Sequence, residues 1–240
     1  MKIGIVSAEP SGDLLGSKIL SKLKEKFEDL EVVGVGDGPL VQKNISTDRE
    51  ILEIMGLVDP ILNFQKIINF RNNLIQKFID ENIDIFIGID APDFNFEIHK
   101  KLQKKGIKTV HVVCPSVWAW RPGRVKQFNY VDYMLCLFPF ELEYCANVNK
   151  QAFCIGHPLL DKQKDFENND KENIICIMPG SRKAEIQNNL EVMIDGFNQF
   201  NFEEKYKAII PIYKEDDKYL IQDKIQKHKN ITFANVESVS

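Results

Sequence analysis

No run of apolar residues in this chain approaches the ~20 needed to cross a bilayer as a helix. The opening MKIGIVSAEPSGD has an apolar stretch too short for a secretory signal, and Glu9 and Asp13 interrupt it. Both absences point to a cytoplasmic protein. There is no basic excess: 31 Lys+Arg against 35 Asp+Glu leave a formal charge of −4, so no nucleic-acid partner is expected. The five cysteines (Cys114, Cys136, Cys145, Cys154 and Cys176) form no C-x-x-C pair, and no two histidines have metal-ligand spacing. No metal site is therefore expected, and the thiols read as buried and reduced. Nucleotide fingerprints are missing too. Gly12-x-x-x-Gly16-Ser17-Lys18 has the wrong spacing for a Walker loop. In Gly34-Val35-Gly36-Asp37-Gly38 the third glycine comes too early for a dinucleotide motif, and Pro39 follows.

What is present is ordinary globular material, 44% hydrophobic and 28% charged, which excludes wholesale disorder and fibrous repeats. At ~150 residues per domain, 240 residues amount to about one and a half domains. Short β-branched runs alternate with helical segments along the whole length. Strands are predicted at Ile3–Ser7, Val32–Gly36, Ile83–Ile89, Thr109–Cys114, Tyr133–Phe138, Ala152–Ile155, Ile174–Met178, Ala208–Ile212 and Ile231–Ala234. Several are apolar throughout, as strands covered on both faces must be. Amphipathic helices lie between them, with stripes at Leu15, Ile19, Leu23 and Phe27 and at Ile186, Leu190, Ile194 and Phe197. The alternation predicts an α/β fold, a doubly wound parallel sheet. The polar stretch DKQKDFENNDKEN breaks it. It assigns residues 163–173 to a linker between a domain at 1–162 and the first half of a second at 174–240.

In an open parallel sheet, ligands bind beyond the carboxyl ends of the strands. Polar, aromatic and turn residues gather at these ends here. Asp90 directly follows IDIFIGI. A carboxylate at the lip of a buried strand is desolvated and made more basic, which suits a general base. The alternative is a helix cap, a role that Asp93 fits better. Ser11 is a plausible N-cap, and Gly12 permits close backbone approach, so the Ser11-Gly12-Asp13 turn could receive a phosphate or sugar hydroxyl. Pro179-Gly180-Ser181-Arg182 also leads from strand to helix, and Arg182 could either grip a phosphate or be solvated.

His99 and His228 fall in polar helical stretches and read as solvated; His111 reads as a core residue. His157 sits at a strand end between glycine and proline, where it could touch sugar or phosphate. Over Pro60–Asp80, Ile61, Phe64, Ile67, Ile68, Leu74, Ile75, Phe78 and Ile79 share one helical face, while Leu62 and Phe70 fall off it and Arg71 lies within it. A core helix and a lipid-facing one, with Lys66, Arg71 and Lys77 for anionic headgroups, are both compatible with this pattern.

Taken together and in order, these strand-end segments resemble lipid-A-disaccharide synthase, a family of inverting glycosyltransferases with two Rossmann-like domains (GT-B). The segments are Ala8-Glu9-Pro10-Ser11-Gly12-Asp13, Gly88–Asn95 (GIDAPDFN), Pro115–Arg121 (PSVWAWR), Leu137–Glu141, Ile155–Pro158, and Pro179–Arg182 with Glu185. Ala8 stands where the family has glycine, and Gly36-Asp37-Gly38-Pro39 is one residue longer than the family's turn.

The resemblance implies transfer of 2,3-diacylglucosamine from its UDP-sugar to the 6-hydroxyl of 2,3-diacylglucosamine 1-phosphate (lipid X), giving a β-1,6-linked disaccharide and UDP. It makes Asp90 the general base. Glu9, Ser11, Gly12, Asp13, Asp93, Asn95, Ser116, Trp118, Arg121, His157, Ser181, Arg182 and Glu185 become substrate-binding residues. No cofactor or metal is implied. Peripheral contact with the inner face of the bacterial inner membrane falls to Leu57, Val58, Ile61, Leu62, Phe64, Ile67, Ile68 and Phe70, with homodimerisation left open. Family members continue past this length with a Ser-Gly-Thr…Glu segment at the donor nucleotide. The expectation is thus a truncated chain, with an acceptor-side domain and part of a donor-side one. An inactive lipid-binding fragment, or another UDP-sugar enzyme such as an epimerase, is the alternative.

Overall fold

The computed structural model describes residues 1–40, 45–46, 60–146, 148, 151–158, 173–180, 183–212 and 217–235. The chain divides into two compact units, Met1–Asp165 and Phe166–Ser240.

In the first unit the order is β1 (Lys2–Ser7), α1 (Pro10–Lys24), β2 (Glu31–Val35), β3 (Ile45–Ser46), α2 (Pro60–Asp80), β4 (Ile85–Ile89), α3 (Pro92–Gln103), β5 (Lys108–Val112), a 3-10 helix (Pro122–Tyr130), β6 (Tyr133–Cys136), α4 (Glu141–Cys145) and β7 (Ala152–Cys154). The strands pair in the order β3-β2-β1-β4-β5-β6-β7, all parallel. The chain winds outward from β1 through β2 to β3, then returns beside β1 with β4 and winds the other way. The switch point therefore lies between β1 and β4, where Ser7 pairs with Ile89. In open α/β sheets, ligands bind beyond the carboxyl ends of the strands at such a point.

Apolar strands pack against helices on both faces. Val6, Phe86, Phe78, Phe94 and Ile98 lie in one core cluster, and Ile5, Leu20, Leu40, Ile87 and Ile89 in another. Proline opens both α1 and α3 at the first turn, where the missing N–H costs nothing. A Cβ on Gly12 would lie 2.6 Å from Ser7 Oγ, so glycine is what lets α1 begin tight against the end of β1.

The second unit holds β8 (Ile174–Cys176), α5 (Lys183–Phe200), β9 (Lys207–Ile212), α6 (Asp217–Ile225) and β10 (Ile231–Asn235). Its parallel sheet runs β10-β9-β8. Ile186, Leu190, Ile194 and Phe197, the predicted stripe of α5, are all buried against it.

Three expectations change. His99 is fully buried rather than solvated, because α3 turns Asn95, His99 and Leu102 inward along one stripe. Its Nε2 meets His111 Nδ1 at 3.1 Å. Gly88, opposite His111 in the ladder, makes the room: a Cβ there would lie 2.8 Å from His99 Nε2. Cys154 and Cys176 are exposed, since β7 and β8 lie at the edges of the two sheets among the described residues. Phe70 does not fall off the buried face of α2 but packs on Phe94, ring centroids 6.2 Å apart, at the margin of the core.

Candidate active site

The loops after β1 and β4 flank the switch point, and the expected base lies there. Asp90 (φ +49) and Ala91 (φ +42) are consecutive non-glycine residues in the left-handed region. Such conformers cost of order 1–3 kcal/mol each and persist only where the surroundings over-determine them. The surroundings are explicit. Asp90 N–H donates to Val112 O at 2.9 Å, and Asn95 Nδ2 donates to Asp90 O at 2.8 Å and to Ile89 O at 3.3 Å. The turn leaves Asp90 half-buried at the sheet's lip. Burial, and then the neighbouring Glu9 carboxylate, push its pKa above the ordinary carboxylate range; Ala91 N–H and Arg124 oppose them.

Glu9 is exposed and occupies the N-cap position of α1 without a side-chain capping bond. Its carbonyl accepts from Ser7 Oγ at 3.2 Å and from Asp13 N–H at 3.0 Å. Ser11 is therefore not the N-cap, because the helix begins at Pro10; its side chain is exposed within the first turn. Asp13 is buried, its Oδ1 accepting from Asp37 N–H at 3.1 Å, which ties α1 to the loop after β2. Asn95 is likewise buried and committed to the main chain beside Asp90. Both were expected at a substrate, and both are buried with hydrogen bonds to the main chain of the loops around the switch point.

Asp93 is not the cap of α3, whose N-cap is Ala91 without a side-chain bond. It accepts instead from Arg121 Nη1 at 3.3 Å and from Arg124 Nη2. Arg124, whose side chain is 14% exposed, was missed by the sequence reading. Its signal was the three-residue spacing from Arg121, which puts both on one edge of a short helix. Arg121 itself is left-handed (φ +48), exposed, and set over the Trp120 ring at 5.2 Å.

The PSVWAWR segment turns around Ser116, whose carbonyl accepts from Ala119 and Trp120 N–H groups. The turn buries Val117 and exposes Ser116, Trp118 and Trp120. Trp118 then meets Phe140 edge-on at 4.8 Å, Phe140 stacks with Phe138 at 5.8 Å, and Phe138 stacks with His157 at 5.7 Å. An aromatic row thus runs along the carboxyl ends of β5, β6 and β7, continuous with the acidic and basic groups near β1 and β4.

In the second unit, Gly180 (φ +133) brings the loop against Glu185 in the first turn of α5. Ser181 and Arg182 lie outside the described residues, as do Leu57 and Val58, and so do the side chains of Ile61 and Leu62. Of the remaining expected membrane contacts, Phe64 is 61% exposed and Ile68 is half-buried. Ile67 is buried in the core, and half-buried Phe70 packs at its margin. Among the described residues, no helix is long and apolar enough to cross a membrane.

Residues 3–238 match the family model for lipid-A-disaccharide synthetase. Lipid-A-disaccharide synthase of Methylobacillus flagellatus is 39% identical over 77% of this chain and 52% of its own length. The enzyme of Acinetobacter baylyi is 35% identical over 94% of this chain and 61% of its own. The chain thus spans little more than half the length of these curated relatives. Among solved structures it is similar to the S. aureus MnaA–UDP co-structure (12% identity, TM-score 0.66, covering 98% of this chain and 68% of that one). It is similar too to the UDP-GlcNAc 2-epimerase of Neisseria meningitidis bound to UDP-GlcNAc (11%, TM-score 0.62, 98% and 72%). At such identity the likeness is one of fold, Rossmann-like α/β units of the GT-B-like class. The family-model match over almost the whole chain, with relatives at 35–39% identity, shows that the chain belongs to the lipid-A-disaccharide synthase family.

Proposed function

We propose that the protein containing this chain condenses UDP-2,3-diacylglucosamine with lipid X to form the β-1,6-linked lipid A disaccharide 1-phosphate and UDP. The observation that supports this most is Asp90: a half-buried carboxylate at the switch point, held in a strained turn and made more basic by burial. In this reading its carboxylate takes the proton of the acceptor 6-hydroxyl. The freed oxygen attacks C1 of the donor sugar from the face opposite UDP, the C1–O bond breaks, and the configuration inverts. A general base is worth ~10²–10⁴-fold in such a step. The proton passes from Asp90 to solvent.

The unit at 1–162 would take the acceptor. Ser116, Trp118 and the aromatic row offer apolar and π surface to its sugar and acyl chains, and Arg121 offers charge to its phosphate. The segment from 174 would begin the donor side, where the start of α5 with Glu185 would meet the departing diphosphate without a catalytic metal, and Arg182 would steady phosphate charge on donor or acceptor. Phe64 and its neighbours at the start of α2 would touch the anionic inner face of the bacterial inner membrane peripherally.

The test is product analysis. The gene product containing this chain, given UDP-2,3-diacylglucosamine and lipid X, should yield one UDP per disaccharide. UDP formed equally without lipid X would indicate hydrolysis or epimerase-type chemistry instead.

A further inference from the structure

Three cysteines far apart in sequence converge beneath the aromatic row. Cys114, Cys136 and Cys145 are all buried, and their sulfurs lie within 4.8 Å of one another. They come from three different elements: the turn after β5, the end of β6 and the end of α4. The Cys136 and Cys145 sulfurs are 4.0 Å apart. A metal–sulfur bond of ~2.3 Å places three trigonal sulfurs ~4.0 Å from one another, so the trio needs only sub-ångström adjustment to close on one ion.

The backbone is bent to bring Cys114 there. Val113, just before it, has φ +76, a conformation that a β-branched residue seldom adopts. Its N–H still bonds Leu135 O at 2.9 Å, which fixes the kink against β6. Strain at a β-branched residue points to a constraint beyond packing, since an apolar side chain could fill the same space from a relaxed strand end. The pocket is otherwise apolar, walled by Phe96, Val117, Phe128 and Met134. The buried carboxylate nearest in sequence, Glu141, already accepts from Leu137 and Phe138 N–H at 2.8 and 3.0 Å. Among the described residues no fourth sulfur, imidazole or carboxylate completes the set.

We propose that Cys114, Cys136 and Cys145 form a three-sulfur site for a soft, thiophilic d10 metal ion of the Cu⁺ class. Sulfur-only, low-coordinate surroundings select such ions over hard cations. Each ligating thiol gives up its proton to solvent as its sulfur–metal bond forms, and no oxidant or reductant is needed. The role is structural: the ion staples β5, β6 and α4 under the surface that carries Trp118 and Phe140. The site is independent of the glycosyl-transfer reading.

The test uses the reduced 240-residue chain with exposed Cys154 and Cys176 replaced by serine. Titration with Cd²⁺ should give one equivalent bound, a sulfur-to-cadmium charge-transfer band, and release of protons countable by native mass spectrometry. Cys114→Ala and Cys145→Ala should each weaken Cd²⁺ binding by more than the roughly 10–100-fold that outer-shell changes cost. Should either variant misfold by circular dichroism, the parent decides: bound Cd²⁺ must protect Cys114, Cys136 and Cys145 from alkylation. Absence of the band in the folded parent overturns the site. So does a band that survives both substitutions, or a Cys136–Cys145 disulfide formed in place of metal binding.

Discussion

The side-chain amide of Asn95 donates to the main-chain carbonyl of Asp90 at 2.8 Å and, through the same nitrogen, reaches Ile89 O at 3.3 Å. A buried residue one turn into α3 therefore holds a left-handed turn whose side chain is the expected base. The consequence is a division of labour: Asp90 would act on substrate, while Asn95 fixes where it points.

Replacing Asn95 by Asp keeps the shape but removes the donor and sets a carboxylate against two carbonyl oxygens. Loss of a buried hydrogen bond costs about 1–3 kcal/mol of stability. A misplaced catalytic group costs up to roughly 100-fold in rate. Asn95→Asp should lower kcat by about 10–100-fold with KM little changed, measured on protein shown folded by thermal melting. An unchanged kcat contradicts the positioning role.

Because burial and Glu9 raise the pKa of Asp90, the base form is lost as pH falls through a value above the ordinary carboxylate range. The acidic limb of kcat/KM should lie there. Glu9→Gln removes the like charge and should move that limb to lower pH. The same shift has a stability sign. The folded state binds this proton more tightly than the unfolded one, so the carboxylate's contribution falls as pH rises from the unfolded to the folded value. Asp90→Asn should therefore be more stable than the parent at neutral pH in denaturant titrations. Equal or lower stability would contradict the burial argument.

His99 and His111 form a buried pair with His99 Nδ1 and His111 Nε2 unpartnered. Burial drives both pKa values down, His111 to about 3 and His99 well below its usual value, the latter helped by its neighbour. Folded pKa values below the unfolded ~6.5 mean that stability is full above pH 6.5 and is lost as pH falls toward the folded values. Each histidine can contribute up to about 1.4 kcal/mol per pH unit in that window. Denaturant midpoints should drop between pH 6.5 and 5, and His111→Gln should flatten the drop. A parallel fall in the variant would show that other groups dominate.

Phe64 projects from the buried side of α2 with 61% of its surface exposed. Inserting a phenylalanine into a lipid interface gains about 1.5–3 kcal/mol, so Phe64→Ser should weaken binding to anionic vesicles at least roughly tenfold. Co-sedimentation measures it, and equal binding of both proteins would remove this residue from any lipid contact.

Much of the fold was legible because a parallel sheet covered on both faces leaves long apolar runs: IFIGI and KAIIPI are strands where the runs lie. The two-residue β3 carries no such run and was not foreseen. Asp90 was legible from its place after β4, since a charged residue ending a buried strand is chemically conspicuous. The double left-handed turn that presents it was not, because neither Asp90 nor Ala91 is glycine. His99 and the internal roles of Asp13 and Asn95 were hidden for a related reason. A polar side chain satisfied inside the fold looks, in sequence, like one that faces solvent or a substrate. The cysteine trio escaped because its members lie 22 and 9 residues apart, and only the pairing of β5 with β6 brings them together.

The central claim is that Asp90 removes the acceptor proton, and Asp90→Asn tests it most directly. The substitution preserves size and the backbone bonds to Val112 and Asn95 while abolishing the base. In the gene product containing this chain, the rate of disaccharide formation from UDP-2,3-diacylglucosamine and lipid X should fall by about 10²–10⁴-fold. Binding of lipid X, followed by calorimetry, should be retained. Turnover within a fewfold of the parent, by a variant that still folds and binds, would contradict the account.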